Sequence, residues 1–476
     1  MAEPMLKFVK LDQQMPQKRD ADTRASDFLE IYGEFILQKA EEQASRCSQC
    51  GVPFCQSGCP LQNNIPDWLR MTATGRLEEA YQISSATNPL PEICGRICPQ
   101  DRLCEGNCVI EQSTHGAVTI GAVERFITET AFKNDWVGSL KAPQQRDQSV
   151  AIIGSGPAGI AAAQVLTGLG YQVTVYDRHD RAGGLLIYGI PGFKLEKDVI
   201  TRRIKQLEEA GVKFELNADV GGTIKFADLK AKYDAVLIAT GVYKARKLGL
   251  AGDEGALQAL DFLITSNKNG FGDKVPAFES GEMNAAGKNV VVIGGGDTAM
   301  DCVRTSIRQG AKSVTCLYRR DKANMPGSAR EVKNAEEEGV EFKWLSAPKN
   351  LVLEGGKITG INIVKMRLTE ADGSGRQGIE EVKNSEEVVP ADMVISALGF
   401  EPEDLPNAFG APELKTTKWG TLRVNANTFQ TELENVFAAG DIVRGASLVV
   451  WALKDGKDAA DQIHKYLKSL ANSKAA

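Results

Sequence analysis

Histidine is scarce in these 476 residues: only His115, His179 and His464 occur. So few imidazoles argue against a multi-histidine metal centre. Long apolar runs are missing too. No uninterrupted stretch approaches the ~20 residues a bilayer span needs, and the opening MAEPMLKFVKLDQQMPQKRD holds no continuous apolar core of signal-peptide length. A soluble, cytoplasmic protein is expected. The formal charge of −6, with a pI near 5.5, gives no electrostatic ground for nucleic-acid binding. Cysteine is absent from Val109 to Asp301, and only Cys302 and Cys316 follow.

What is present is crowded. Eight of the ten cysteines fall between Cys47 and Cys108, spaced Cys47-x2-Cys50-x4-Cys55-x3-Cys59-Pro60, then Cys94-x3-Cys98-Pro99 and Cys104-x3-Cys108. A reducing compartment makes such thiols metal ligands more often than disulfides. Zinc sites usually pair two CxxC knuckles, and only one CxxC occurs. Zinc and structural thiols stay open as alternatives to iron–sulfur ligation. The surrounding segments read as helices: RASDFLEIYGEFILQKAEEQASR (24–46) has apolar residues at helical spacing, IPDWLRMTATGRLEEAYQISSAT (65–87) carries two shorter helices, and TIGAVERFITETAFK (119–133) one more. The polar KAPQQRDQS reads as a linker. Lone Cys302 and Cys316 are most simply small core residues.

A chain this long exceeds one hydrophobic core, so two or three domains are expected. From Val150 onward, near-continuous apolar strands alternate with glycine turns and helices, the pattern of parallel strands covered on both faces. SVAIIGSGPAGIAAAQVLTGLGYQVTVYD is one β-α-β unit. Its loop Gly154-Ser155-Gly156-Pro157-Ala158-Gly159 suits a tight turn, close approach of backbone to pyrophosphate and close helix–strand packing. Asp177 ends the next strand, placed for a ribose hydroxyl. KNVVVIGGGDTAMDCVRTSIRQGAKSVTCLYRR is a second unit about 140 residues later. Its loop runs Gly294-Gly295-Gly296-Asp297-Thr298-Ala299, and its strand ends in Arg319 and Arg320 rather than an acid. Two guanidinium groups offer fork-shaped hydrogen bonds to a 2′-phosphate, which favours NADPH over NADH. Asp297 is a candidate nicotinamide-side group, with a helix N-cap as its simpler role.

The arrangement resembles the two-dinucleotide flavoprotein oxidoreductases, whose first loop holds FAD. RAGGLLIYGIP, with Gly184 and Leu185, resembles their continuation along the cofactor. AVLIATG, with Ala239, Thr240 and Gly241, and its second copy VISALGF resemble the strand-and-turn near the domain crossing. VFAAGD, with Gly440 and Asp441, resembles their C-terminal flavin motif. The fold class implied is α/β: two Rossmann-like dinucleotide-binding domains of this type, preceded by a mainly α-helical iron–sulfur domain. The expected boundaries are 1–145 for the iron–sulfur domain, 146–249 and 403–476 for the FAD domain, and 250–402 for the NADPH domain. Members that reduce disulfides keep a cysteine pair near the flavin. None exists here, which leaves the N-terminal cysteines as the electron exit.

Three close cysteines followed by Cys-Pro also resemble bacterial ferredoxin motifs, in which the fourth cysteine serves the other cluster. That resemblance implies one 4Fe–4S cluster on Cys47, Cys50, Cys55 and Cys108, and most of a second on Cys59, Cys98 and Cys104. Cys94 is available for the last position. Related flavoproteins with this module place a non-cysteine ligand on the helix reading GAVERF here, which implies Glu124 instead. Over its whole length, through VFAAGDIVRGASLVVWALKDGKDAA, the chain resembles the small-subunit family of bacterial NADPH-dependent glutamate synthases. The resemblance implies hydride transfer from NADPH to FAD and single-electron passage through two 4Fe–4S clusters. It also implies a large (alpha) subunit carrying FMN and a glutamine amidotransferase. The chain begins Met-Ala-Glu, without an N-terminal cysteine nucleophile, and shows no second flavin barrel, which suits that division. The same architecture serves ferredoxin:NADP oxidoreductases and dihydropyrimidine dehydrogenase. A zinc-stabilised nucleotide-binding assembly module is the rival outside the enzymes.

Overall fold

The computed structural model describes residues 5–250, 253–371, 373 and 377–475. Two five-stranded parallel sheets form its framework. In the first, the strands lie in the order Val436–Ala438, Ala235–Ile238, Ser149–Ile153, Gln172–Tyr176, Lys213–Glu215. In the second the order is Leu257–Gln258, Met393–Ser396, Asn289–Ile293, Ser313–Tyr318, Glu341–Trp344. Each sheet thus has a β-α-β unit at its centre and takes in a strand brought back from far along the chain. Val150–Ile153 and Val290–Ile293 are buried along their whole length. A strand with helices on both faces has no solvent side, so the apolar run is continuous rather than alternating.

The halves are connected by two crossings. Lys244–Ala245 leaves the first sheet and Phe400–Glu401 returns, and the two pair antiparallel. Ser346–Glu354, Lys357–Ala371, Gln377–Glu381 and Glu387–Pro390 build an antiparallel sheet beside the second half. The long helix Val449–Ala475 lies against the first glycine-loop helix, Pro157–Gly168. A Cβ at Gly456 would collide with the carbonyl of Ala158, so the two backbones touch. No helix among the described residues is long and apolar enough to cross a membrane.

The N-terminal module is helical: Leu37–Ala44, Ile65–Ala73, Leu77–Thr87, Pro91–Ile97 and Ile120–Lys133. Trp68, Leu69, Val123 and Ile127 form its core, and Trp68 Nε1 donates to Asn63 Oδ1 at 2.8 Å. One expectation fails here. Residues 24–46 do not form one helix; Arg24 ends the short helix Ala21–Arg24, 25–36 run as an irregular strap, and Leu37–Ala44 is a second helix. The reason is ionic. Arg24, 1% exposed, reaches Glu338 at 2.9 Å and Glu337 at 2.7 Å, while Glu30 receives Arg96 at 2.7 Å and Arg125 at 2.8 Å. The Ile31 amide also donates to the Phe193 carbonyl. Partners this far apart in the chain cannot all be met by a rod. The buried Glu92–Arg203 pair fastens the module to the first nucleotide-binding half, and Lys194 joins that half to Asp301 of the second at 2.9 Å.

Candidate functional site

The two glycine loops repeat one geometry. Gly154 has φ +105° and Gly294 φ +151°, and a Cβ at either would strike a carbonyl oxygen of the neighbouring strand-and-turn, Ala239 or Ala397. These positions accept only glycine. Gly156 and Gly296 face open space, with nothing within 4 Å of an added Cβ. That is the face a pyrophosphate would approach, at the start of helices Pro157–Gly168 and Asp297–Arg308. Gly159 is packed onto the Gly154 carbonyl. In the second loop fully buried Ala299 takes the corresponding place.

Asp177 is buried, and Oδ2 accepts from the Ser155 amide at 2.8 Å and hydroxyl at 2.5 Å, while Oδ1 accepts from the His179 amide at 2.9 Å. The carboxylate expected at a ribose therefore also holds the loop. Ser155 Oγ in turn accepts from the Gly183 amide, and a Cβ at Gly184 would lie 2.7 Å from Gly156 Cα. Leu185 starts the short helix that follows. Asp177, Thr240 and Tyr243 line a cavity of about 270 Å³ running along this edge. Thr240 Oγ1 and Asp441 Oδ1 are buried without a hydrogen-bond partner. Burial pushes the Asp441 carboxyl up to about 7. An open glycine cradle flanked by two orphaned polar atoms fits a bound dinucleotide. Gly440, φ +77°, packs against Ala158, and Gly241, φ +72°, turns the chain toward Tyr243.

On the second loop, Asp297 is the first helical residue and Gly296 the N-cap. The expected cap role is therefore not its own; Asp297 Oδ1 accepts from the Ser328 amide at 3.0 Å. Asp297 and Thr298 face a cavity of about 210 Å³ that also meets Ser447–Val450 and Lys194. Arg319 is exposed and Arg320 half-buried. Neither takes part in an ion pair among the described residues, and Arg320 Nε is buried without a partner.

All ten cysteines are free. Among the described residues no three His, Cys, Asp or Glu side chains gather tightly enough for a single metal ion. The eight clustered thiols instead line two cavities. Cys47, Cys50, Cys55 and Cys108 surround one, with Pro53, Phe54 and Ile120. Cys59, Cys94, Cys98, Cys104 and Glu124 surround the other. Four thiols around one space are a donor set that fits an iron–sulfur cluster. Burial pushes the Cys47 thiol up, against the bonds that Sγ accepts from the Gln49 amide at 3.4 Å and side chain at 3.3 Å. Burial pushes Cys55 up to about 12 and Cys59 up to about 11 while they remain thiols. In the second cavity five donors meet. Glu124 Oε1 accepts from Ser84 at 3.2 Å and Asn88 at 3.1 Å, with its carboxyl pushed up to about 7 by burial. Cys94 Sγ lies 3.7 Å from Asn88 Oδ1.

The three cavities share walls. Cys98, Gln100 and Val450 line both the nucleotide-side cavity and the one bearing Glu124. Ile120 lines both cysteine cavities. Spacing in the chain does not mark Gln100, Asn88, Lys194, Tyr243 or Arg330 as site residues; they come from segments that meet only in the folded chain.

The family described as dihydropyrimidine dehydrogenase domain II, 4Fe-4S cluster, matches residues 24–136, and that described as pyridine nucleotide-disulphide oxidoreductase matches 148–456. The glutamate synthase (NADPH) small chain of Azospirillum brasilense is 60% identical over 474 residues, covering 99% of this chain and 98% of that protein. The chain belongs to the glutamate synthase small-chain family. Its relative of the same name in Escherichia coli K12 is 46% identical, over 98% of this chain and 100% of that one. Among solved structures, FprA of Mycobacterium tuberculosis in complex with NADPH is 22% identical with a TM-score of 0.58, over 69% of this chain and 86% of that one, a likeness of fold. The family places an iron–sulfur module before a pyridine-nucleotide oxidoreductase module, the order in which the cysteine field and the two sheets occur here.

Proposed function

We propose that this chain is the electron-input subunit of an NADPH-dependent glutamate synthase. It oxidises NADPH and passes electrons to a large subunit that carries FMN and an amidotransferase and makes L-glutamate from L-glutamine and 2-oxoglutarate. The cytoplasm is its compartment. The observation that carries the reading is a series of shared walls: Cys98, Gln100 and Val450 stand between the cavity at Asp297 and Thr298 and the inner cysteine cavity, and Ile120 stands between that one and the cavity of Cys47 and Cys50. The names of the small-chain relatives, matched over nearly the full length, supply NADPH and glutamate synthesis; glutamine and 2-oxoglutarate as substrates follow from the family resemblance.

When bound, FAD converts between the two-electron chemistry of a hydride and the single electrons of 4Fe–4S clusters. The residues do the holding. Residues 146–249 and 403–476 would form the FAD domain: the 154–159 loop seats pyrophosphate, Asp177 meets ribose, and Gly184, Leu185, Ala239, Thr240, Gly241, Gly440 and Asp441 follow the cofactor. Residues 250–402 would form the NADPH domain, with Gly294–Thr298 on pyrophosphate and Arg319 and Arg320 on the 2′-phosphate. Residues 1–145 hold two clusters, an outer one on Cys47, Cys50, Cys55 and Cys108 and an inner one on Cys59, Cys98, Cys104 and either Glu124 or Cys94. Apolar walls such as Ile120 and Val450 keep water from the spaces between.

Anaerobic iron and sulfide quantification with EPR on the copurified complex tests the reading. It requires two 4Fe–4S signals assigned to this subunit, and NADPH oxidation that depends on glutamine and 2-oxoglutarate only when the large subunit is present. Protein without flavin absorption or acid-labile sulfide would defeat it, as would turnover of ferredoxin or pyrimidines instead.

A further inference from the structure

A positive charge from the second nucleotide-binding half reaches residues beside the inner cysteine cavity. Arg330 belongs to the second nucleotide-binding half, yet Nη1 donates to Gln100 Oε1 at 2.9 Å and Nη2 to Glu105 Oε2 at 3.1 Å. Gln100 lines that cavity, and Glu105 is the residue after Cys104, which lines it too. Gln100, 2% exposed, donates through Nε2 to the carbonyls of Cys94 and Gly95. Glu105 follows Cys104 directly and accepts from the Gly121 amide at 3.0 Å, at the start of the helix that carries Glu124. Glu105 is thus a buried carboxylate beside a cluster thiol, and Arg330 is its counter-ion.

The segment bearing Arg330 is seated on the second glycine loop. Gly327 N donates to the Gly295 carbonyl at 2.9 Å, and Ser328 N to Asp297 Oδ1 at 3.0 Å. Its far side is held by the cysteine module, through Arg102 to the Pro326 carbonyl and Ser328 Oγ to Asp101 at 3.4 Å. One short bridge therefore touches the nucleotide loop and the inner thiols together.

Resting on the electron-input reading, we infer that Arg330 is a positioning residue that sets the reduction potential of the inner centre, through Glu105 and Gln100, while the NADPH-binding half lies against the cysteine module. A centre gains negative charge when it takes an electron. The Glu105 carboxylate opposes that gain, and a guanidinium 3.1 Å from it cancels the opposition. The charge comes from the half that binds the electron donor, so the inner acceptor is poised only when that half is docked.

Redox titration of the anaerobic complex, followed by EPR, tests the inference. Arg330→Gln should lower the inner midpoint, so that at the potential where the wild type is half-reduced the reduced-to-oxidised ratio falls about tenfold, which is 59 mV for one electron. The outer centre should not move. Arg330→Lys keeps the charge and should stay near wild type, and the double variant Arg330→Gln with Glu105→Gln should return to it. An unshifted inner midpoint in Arg330→Gln, or an equal shift of both centres, overturns the inference. If Arg330→Gln does not retain iron, Glu105→Gln alone decides: it leaves the Arg330 charge unopposed and should raise the inner midpoint, and an unshifted or lowered midpoint overturns the inference. A wild-type complex with no iron–sulfur signal would instead remove the functional reading beneath it.

Discussion

Glu338 offers a quantitative test of how the modules are held together. Its side chain is fully buried, and its two oxygens accept from Arg24 Nε, Arg304 Nε and Nη2, and Arg308 Nη1 and Nη2, at 2.7 to 3.1 Å. Burial alone would raise the carboxyl; Arg308 and Arg304 outweigh it and hold it at about 2, down from an ordinary 4.5. At 1.36 kcal/mol per decade the difference is worth about 3 kcal/mol. Because the folded value is depressed, that stabilisation is complete above pH 4.5 and is lost as pH falls toward 2. Glu338→Gln removes it at neutral pH and leaves arginines buried with fewer counter-charges. Three modules and their cofactors do not unfold as two states, so a local probe is needed. Native-state hydrogen exchange at the Glu338 and Val340 amides, bonded to Asn334 and Ala335, should speed roughly 10²-fold at pH 7 in the variant, from the same 3 kcal/mol. Unchanged exchange there would refute the argument, because the same opening must expose the Glu338 carboxylate.

Three further outcomes are expected. Replacing Arg319 and Arg320 together by glutamine should weaken NADPH by roughly 10²-fold or more, since each charge-assisted bond contributes about 1.5 kcal/mol or more, while NADH affinity changes little; equal losses in fluorescence titrations would contradict their place at the 2′-phosphate. Gly159→Val drives a side chain into the Gly154 carbonyl and should purify without flavin absorbance, whereas a flavin-replete variant would show that the loop can yield. Cys50→Ser and Cys59→Ser should each alter a different EPR signal, and comparing Glu124→Ala with Cys94→Ser should identify the donor that completes the inner centre; the same signal lost in the first two would mean the cysteines are grouped wrongly.

Much of this was legible in the chain itself because the signals are local. Gly154 and Gly294 announce turns that only glycine tolerates, Val150–Ile153 and Val290–Ile293 announce strands covered on both faces, and the alternation of the two identifies paired nucleotide-binding sheets. Cys47, Cys50 and Cys55, grouped apart from Cys59 on a ferredoxin-like spacing, line one cavity and Cys59 lines another. Where local pattern competed with distant charge, it lost. Residues 25–36 have helical periodicity, yet the flanking Arg24 and the strap's own Glu30 have partners more than sixty residues away, and the buried ion pairs win.

Residue order by itself determined the class of fold, the two turns that only glycine tolerates and the close spacing of Cys47, Cys50, Cys55 and Cys59, since each depends on neighbours within a few turns of chain. Tertiary structure alone decided that three cavities share walls, that five donors meet at the inner site, and that Arg330 answers Glu105 across 225 positions. Those facts depend on how separately folded layers dock, and docking is settled by burial and charge pairing between segments whose spacing carries no trace of it.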